Sequence, residues 1–463
     1  MERIIIAPNA LLWQKLAVKV HRDITADELQ TALRNGATFI HIQCGLNTFQ
    51  ETMVLIDRCN EIIKRNAEEC RPWTVPTDII CELSGPYPRV QFFSSGISQV
   101  QLVENQRITL TSDIRYEHQC FDEVKYVTNF DHLHRSSVGN VLSIDTVKLT
   151  VERIVPGFVT CTVTQAGSIG RFSVITAGCE GITKDEQLGL DMSSTLEELE
   201  RVVNKGCKFI IVPKVDTKSL QTFFESIQCK KEITRSIQMI VHIDFSPSFS
   251  ADNDMDQRID AFVTKTVDEL KQRQSLGKAF LYDLDTEGMV PERVEEADVI
   301  ITSVNDLIKV QTHLKHVNQI QLAMHQQPNR TLASDEKALV TCLRFSAIEA
   351  NASAIILPLE NDGLKLAIDI SLTDPLCIVL LLKPSAEEVQ RILLRKYLVP
   401  VIVPAVPNVS QQKLIRHAIA YGRRFGYLHG GNCIVSGCTV NSDTDVLGLE
   451  MRYVPLVAHR PEP

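Results

Sequence analysis

A phrase of helix, glycine and buried strand occurs twice in this chain, and it limits the fold more than any other feature. In its first copy Thr25-Ala-Asp-Glu28 spells a capping box, Leu29 and Leu33 share one helical face, and Gly36 stops the helix. The apolar run Ala37-Thr-Phe-Ile-His-Ile42 then predicts a strand covered on both faces. In the second copy Ser194-x-x-Glu197 is expected to cap a helix, Gly206 to end it, and Phe209-Ile-Ile-Val212 to form the strand. Further apolar runs lie at Ile79–Cys81, Met239–Ile243, Ala261–Val263, Ala279–Tyr282 and Val299–Ile301. Strands that alternate with helices build a parallel sheet, and this many units predict an α/β barrel.

Two stretches depart from that rhythm. Between Arg89 and Ser173 the texture turns to Val, Thr, Ile and Ser, with alternating segments at Val141–Thr150 and Phe158–Val163. Helical periodicity is lost there, which predicts an inserted β domain. From Ser334 onward a second α/β layer begins. It comprises a helix Lys337–Asn351, a strand Ala354–Leu357 and the run Cys377–Leu382. A helix capped by Ser385-x-x-Glu388, a strand Val399–Val403 and a helix Gln411–Tyr421 follow. The polar, proline-containing segment Gln326–Arg330 is the expected boundary. The resulting division is 1–88 and 176–330 for the barrel, 89–175 for the insert and 331–463 for the C-terminal α/β domain. With 463 residues the chain has room for such a set, at about 150 residues per domain.

Charge and cysteine usage narrow the partners. The 48 Lys+Arg against 57 Asp+Glu give a net charge of −9, which argues against nucleic acid or an anionic membrane as the main partner. The longest apolar run, Leu376–Leu382, falls far short of the ~20 residues of a membrane span. Met1-Glu2-Arg3-Ile4 does not open like a secretory leader. All 13 cysteines are scattered without a CxxC pair, as expected of reduced thiols in a cytoplasmic protein. Asp131-His-Leu-His134 and His313-x-x-His316 have metal-like spacing but no convergent carboxylate or thiol, and read as surface histidines. Gly422, Gly426, Gly430 and Gly431 form no phosphate-loop spelling and are expected to end the last helix and shape a hairpin.

An early all-β insert in a barrel, followed by a C-terminal α/β unit, is a distinctive order, and at this point the chain resembles the pyruvate kinase family. Cys81-Glu-Leu-Ser-Gly-Pro-Tyr-Pro-Arg89 is similar to the family's Leu-Asp-Thr-Lys-Gly-Pro-Glu-Ile-Arg. Gly167-Ser-Ile-Gly170 resembles its Gly-Ser-Leu-Gly, and Ile240-Val-His-Ile-Asp244 its Ile-Ser-Lys-Ile-Glu strand. The stretch from Leu414-Ile-Arg-His-Ala-Ile-Ala-Tyr-Gly-Arg423 to Met451-Arg-Tyr-Val-Pro455 looks like the last helix and closing hairpin. The resemblance implies a TIM (β/α)8-type barrel with an inserted small β-barrel domain and a C-terminal α/β domain. It also implies phosphoryl transfer between phosphoenolpyruvate and ADP, with Mg2+ and K+ bound at the top of the barrel.

Such chemistry is almost wholly positioning and charge neutralisation, so the matching residues decide whether it survives. The family's two metal-binding carboxylates are matched by Asp244 and Asp268, hard oxygen ligands of the kind Mg2+ takes. Asp244 is one methylene shorter than the family's Glu, and Val267 replaces a glycine. The lysine that neutralises the moving phosphoryl group is matched by His242, and an arginine on the same group by His41. An imidazole has an ordinary pKa near ~6.5 and a shorter reach than lysine. Loss of one such charge commonly costs ~3–4 kcal/mol in the transition state. Arg89 survives, whereas the lysine before the Gly-Pro is Ser84.

The K+ cage positions fall on Gln43, Gly45, Glu82 and Leu83, two of which bring no side-chain oxygen, so K+ is not expected to bind. The threonine of the proton relay falls on Leu284, and the amide cradle for the substrate carboxylate reads Lys265-Thr-Val-Asp268 without its glycine. A helix's worth of sequence is missing between Asp285 and Ala297. Of the two sugar-phosphate effector loops, Leu359–Leu364 is acidic and has no hydroxyl cluster, and Gly437–Ser442 lacks the aromatic and basic residues.

These losses strike the cations, the relay and the effector loops together, while the strands keep their apolar pattern. The expectation is a pyruvate kinase-like pseudoenzyme, weak or inactive, that assembles as a homo- or hetero-oligomer with pyruvate kinase-like subunits. The rival reading is an active divergent enzyme of glycolysis that uses Asp244, Asp268 and Arg89 with His242 as a weakened cation. A third is a structural protein that self-assembles beyond a tetramer.

Overall fold

Thr25 caps the first helix as its spelling requires: its hydroxyl accepts from the Glu28 N–H while the Glu28 carboxylate takes the Thr25 N–H at 2.9 Å. Gly36 turns the chain with φ +93°, a conformation that a side chain would strain, and the first inner strands follow. The structure is a computed structural model that describes residues 12–73, 75–91, 97, 99–116, 123–178, 190–215, 217–242, 258–266, 270, 278–284, 290–291, 293–324, 335–359, 363–382, 385–403, 410–439 and 447–456. The chain opens with β1 (Lys15–Val20), α1 (Ala26–Arg34), β2 (Phe39–Gln43), α2 (Phe49–Glu69) and β3 (Asp78–Glu82).

Nine strands come next: β4 (Arg89–Val90), β5 (Gln99–Leu102), β6 (Arg107–Thr111), β7 (Val124–Thr128), β8 (Val141–Ile144), β9 (Val147–Val155), β10 (Phe158–Gln165), β11 (Gly167–Gly170) and β12 (Ile175–Gly178). Seven form one sheet in the order β12-β8-β9-β10-β6-β7-β4, and β11 pairs with β5. A bridge between Arg89 and Val174 ties the two edges of the larger sheet together, and Leu110, Leu142, Leu149 and Val159 fill its core. The stretch Val141–Thr150 is a hairpin rather than one strand, because Asp145 turns the chain at φ 49°.

The parallel pattern then resumes with α3 (Met192–Asn204), β13 (Phe209–Val212), α4 (Thr217–Gln228), α5 (Lys231–Ser236), β14 (Gln238–His242), β15 (Ala261–Thr264), β16 (Ala279–Asp283), β17 (Val299–Ser303) and α6 (Leu307–Met324). Asp191, not Ser194, caps α3: its carboxylate takes the N–H groups of Ser193 and Ser194, which leaves Ser194 inside the first turn. Eight strands close into a parallel barrel in the order β1-β17-β16-β15-β14-β13-β3-β2. Between β16 and β17 the described residues form only a 3-10 turn at Val294–Glu296.

The last part runs α7 (Asp335–Glu349), β18 (Ala354–Pro358), α8 (Gly363–Leu372), β19 (Ile378–Leu382), α9 (Ala386–Leu393), β20 (Leu398–Val401), α10 (Gln411–Arg424), β21 (Cys433–Thr439) and β22 (Leu447–Tyr453). Its sheet order is β20-β19-β18-β21-β22, parallel except for the closing hairpin of β21 with β22. Gly426 (φ +69°) follows the end of α10 and Gly431 (φ +86°) precedes the hairpin, as expected of them. The segment Gln326–Arg330 and half of each presumed effector loop, 360–362 and 440–442, lie outside the described residues.

Two residues per period along each barrel strand separate two cores. Outward positions such as Ile40, Cys81 and Phe280 pack under the helices, while Ala17, Phe39, Ile80, Phe209, Ile240, Leu281 and Ile301 fill the interior. Leu393 and Leu394, at the end of α9, join that interior and seal the N-terminal end of the barrel. Each contributes roughly 1.5–3 kcal/mol through its burial.

The cysteines are less scattered than their spacing suggests. Cys81 Sγ lies 3.2 Å from Cys207 Sγ, across 126 residues of sequence. Hydrogen bonds with the Cys207 and Cys44 thiols, and burial, hold the Cys81 thiol well above its ordinary range, so these are packing thiols rather than nucleophiles. Among the described residues no helix is long and apolar enough to cross a membrane.

Candidate functional site

Six of the strands that fill the barrel interior with apolar side chains turn polar one inward step later, at their carboxyl ends. Ala17 is followed by Lys19, Phe39 by His41 and Gln43, Ile80 by Glu82, Val263 by Lys265, Leu281 by Asp283, and Ile301 by Ser303. In eight-stranded parallel barrels this end is where ligand sites are built. The polar ring is therefore the candidate site, and its members come from six neighbouring strands.

The ring's charges are paired with one another. Lys19 Nζ lies 2.6 Å from Asp283 Oδ1, and Lys265 Nζ approaches Asp283 Oδ2 at 3.8 Å. Asp283 is only 3% exposed, so this is an anion held below the rim by cations above it. On the opposite arc Glu82 Oε2 sits 3.1 Å from His41 Nε2 and accepts from Gln43 Nε2 at 3.0 Å. Ser84, after β3, donates its hydroxyl to Glu198 Oε1 at 2.6 Å and its N–H to Oε2 at 2.9 Å. Burial raises the Glu198 carboxyl above its ordinary range, against the pull of those two bonds and of Arg89.

Arg89, from β4, bends back over this arc. Its Nη1 donates to Phe172 O at 3.2 Å, and its Nε packs so close to Gly45 that a Cβ there would sit 3.1 Å away. Burial pulls the guanidinium below its ordinary value, while Glu82, Tyr87 and Glu198 favour its charge. Gly85 (φ +71°) packs on Pro213, where an added Cβ would meet the ring at 2.9 Å. Beside it, a cavity of about 430 Å3 opens between Asn47, Gly85, Pro86, Asn129 and the start of α3 at Asp191 and Ser194.

Of the residues expected to act, the structure brings His41 and Arg89 to the mouth on either side of Glu82. Both ring nitrogens of His41, and Nε of Arg89, are buried without a hydrogen-bond partner of sound geometry among the described residues. The backbone of His242 ends β14 beside Val263, but its side chain lies outside the described residues, as do Asp244 and Asp268. Leu284 points away from the mouth into the outer core. Among the potassium-cage positions, Leu83 is buried in that same core and Gln43 serves Glu82. No group of three or more metal-ligating side chains occurs among the described residues.

Lys19, Asp283, Glu198 and the role of Ser84 went unnoticed in the sequence. The signal for the first two was present: each stands two positions after the last apolar inward residue of its strand. Glu198 carries no such mark, because it reaches the mouth from a helix. No protein-family model matches the chain, and no curated protein does either.

Proposed function

We propose that this chain is a pyruvate kinase-like pseudoenzyme, a TIM (β/α)8-type barrel at 1–88 and 176–330 with an inserted small β-barrel domain at 89–175 and a C-terminal α/β domain at 331–463. The observation that carries the reading is the internal pairing at the mouth. Lys19 is engaged by Asp283, and Glu82 is flanked by His41 and Gln43. A transferring phosphoryl group needs uncommitted cations around it, and here the ring's own carboxylates stand in its place. Arg89 and His41 add no uncommitted cation: His41 Nε2 faces Glu82, and Arg89 is packed against Gly45 and bonded to Phe172 O.

The metals follow the same logic. Mg2+ would rest on Asp244 and Asp268, and no step of this reading runs through it. The described cage positions do not fit K+, since Gly45 has no side chain and Leu83 lies in the core. Assembly with like subunits is supported by the edge strand β22. Leu449, Met451 and Tyr453 alternate along one face of it and are 39%, 65% and 74% exposed.

The test is a coupled pyruvate-formation assay with saturating phosphoenolpyruvate, ADP, Mg2+ and K+. A folded protein turning over at least several hundredfold below the ~10 s−1 middle of the enzyme range is the expected result. Turnover near ~10 s−1 would show an active divergent pyruvate kinase and end this reading. Sedimentation should also find an oligomer that Met451→Glu disperses.

A further inference from the structure

The inserted strands β4–β12 are joined to the barrel by backbone but share no core with it. Leu102, Leu110, Leu149 and Val163 belong to a cluster whose members all lie between Val90 and Ile175. Among the described residues, neither barrel core contains a side chain from that stretch. A unit with its own core and a polar contact to its neighbour turns on its connections unless side chains tie it down. At the entry connection, Asn129 of the insert donates to Gly85 O and Tyr87 O, at 3.1 Å each.

A second tie reaches the barrel itself. Arg171, directly after β11, donates from Nη2 to both carboxylate oxygens of Glu51, at 3.2 and 3.1 Å. Glu51 stands in the first turn of α2, where its Oε2 also accepts the Thr48 N–H at 2.9 Å, so the helix end holds the carboxylate in place. The Arg171 side chain is 10% exposed and lies over the Phe172 ring, which shields the pair from water where a surface pair would contribute little. From the barrel side Arg22, in the loop after β1, donates to Glu51 Oε1 at 3.1 Å. We propose that Glu51 and Arg171 latch the insert against the barrel mouth, and that Arg22 makes the latch reversible by keeping Glu51 paired when Arg171 lets go.

What the latch sets is the width of the cavity at the start of α3. Asn129 lines that cavity from the insert, while Asn47, Asp191 and Ser194 line it from the barrel. The closed latch fixes these two walls against each other. Its release lets them part and leaves no bare carboxylate behind, since Arg22 stays with Glu51. The inference goes beyond the reading of the mouth and holds whether or not the chain turns over phosphoenolpyruvate.

Hydrogen–deuterium exchange of the full chain, read on its peptides by mass spectrometry, tests the latch, with circular dichroism to check that each variant is folded. The readout is the entry connection 83–91, whose Ser84 N–H is held by Glu198 at 2.9 Å and is pulled on when the insert swings. Arg171→Met should speed exchange there about tenfold, the worth of one charge-assisted bond, while β9 and β10 exchange as in the wild type. Glu51→Gln keeps a side chain able to cap α2 and should match it, and the double variant should go no further than either change alone. Arg22→Met should not speed exchange, because Arg171 still holds Glu51. Unchanged exchange in Arg171→Met, additive effects in the double variant, equal speeding by Arg22→Met, or speeding that spreads through β9 and β10 would each overturn the proposal.

Discussion

Lys15 and Lys19 stand on the same strand and the same inward face, either side of Ala17, and they live in opposite environments. Lys15 is at the floor, 8% exposed, with its Nζ donating to Leu398 O at 2.6 Å and Asp298 as its counter-charge. Lys19 is at the mouth, 22% exposed, and pairs with Asp283. The floor's carboxylate is fully enclosed: Asp298 accepts the N–H groups of Phe280 and Lys396, each at 3.0 Å. One lysine joins two parts of the fold, and the other closes a site. Residue type alone does not separate these roles; the cover that the C-terminal segment lays on one end does.

The largest consequence concerns the floor. Asp298→Ala strands a buried lysine and two buried N–H groups, and should lower unfolding free energy in urea by ~3–5 kcal/mol. At the mouth the matching change, Asp283→Asn, should cost about 1 kcal/mol, because Lys19 stays in reach of water. Equal losses would erase the distinction between the two ends. Leu394→Ala should cost ~2–5 kcal/mol by opening a void in the seal, read in the same unfolding experiment.

Titration separates the ends further. Burial pulls the Lys15 ammonium from its ordinary 10.5 to about 8, with Asp298 acting the other way. The folded protein therefore binds fewer protons than the unfolded chain between those values, so stability rises with pH across that window. The penalty is in full force below about pH 8 and is relieved toward pH 10.5, by about 3 kcal/mol at most. Lys15→Met should remove this rise while leaving the rest of the pH profile in place. A rise that persists in the variant would assign it to other groups.

The barrel was legible because buried parallel strands spell themselves as short apolar runs, and Ala261–Val263 or Val299–Ile301 need no context to be seen. Capping spellings worked at Thr25 and Ser385, where the box is complete, and failed at Ser194, where Asp191 three residues earlier is the better acceptor. The seal by Leu393 and Leu394 could not be read, since packing between distant segments leaves no local period. At the mouth, resemblance pointed to His41 and Arg89 as candidates but was silent on what engages them. Glu82 lies on the next strand, and its proximity to His41 is a matter of register. The meeting of Cys81 with Cys207 is hidden for the same reason.

The most direct test of the mouth is calorimetric titration of phosphoenolpyruvate, with Mg2+ present, into the wild-type chain and into Asp283→Asn. If the ring's own carboxylate occupies Lys19, the wild type binds weakly and the variant about tenfold tighter, a change of ~1.4 kcal/mol. Micromolar binding to the wild type that Asp283→Asn weakens would mean that Asp283 holds the ligand's site open, and would contradict the account.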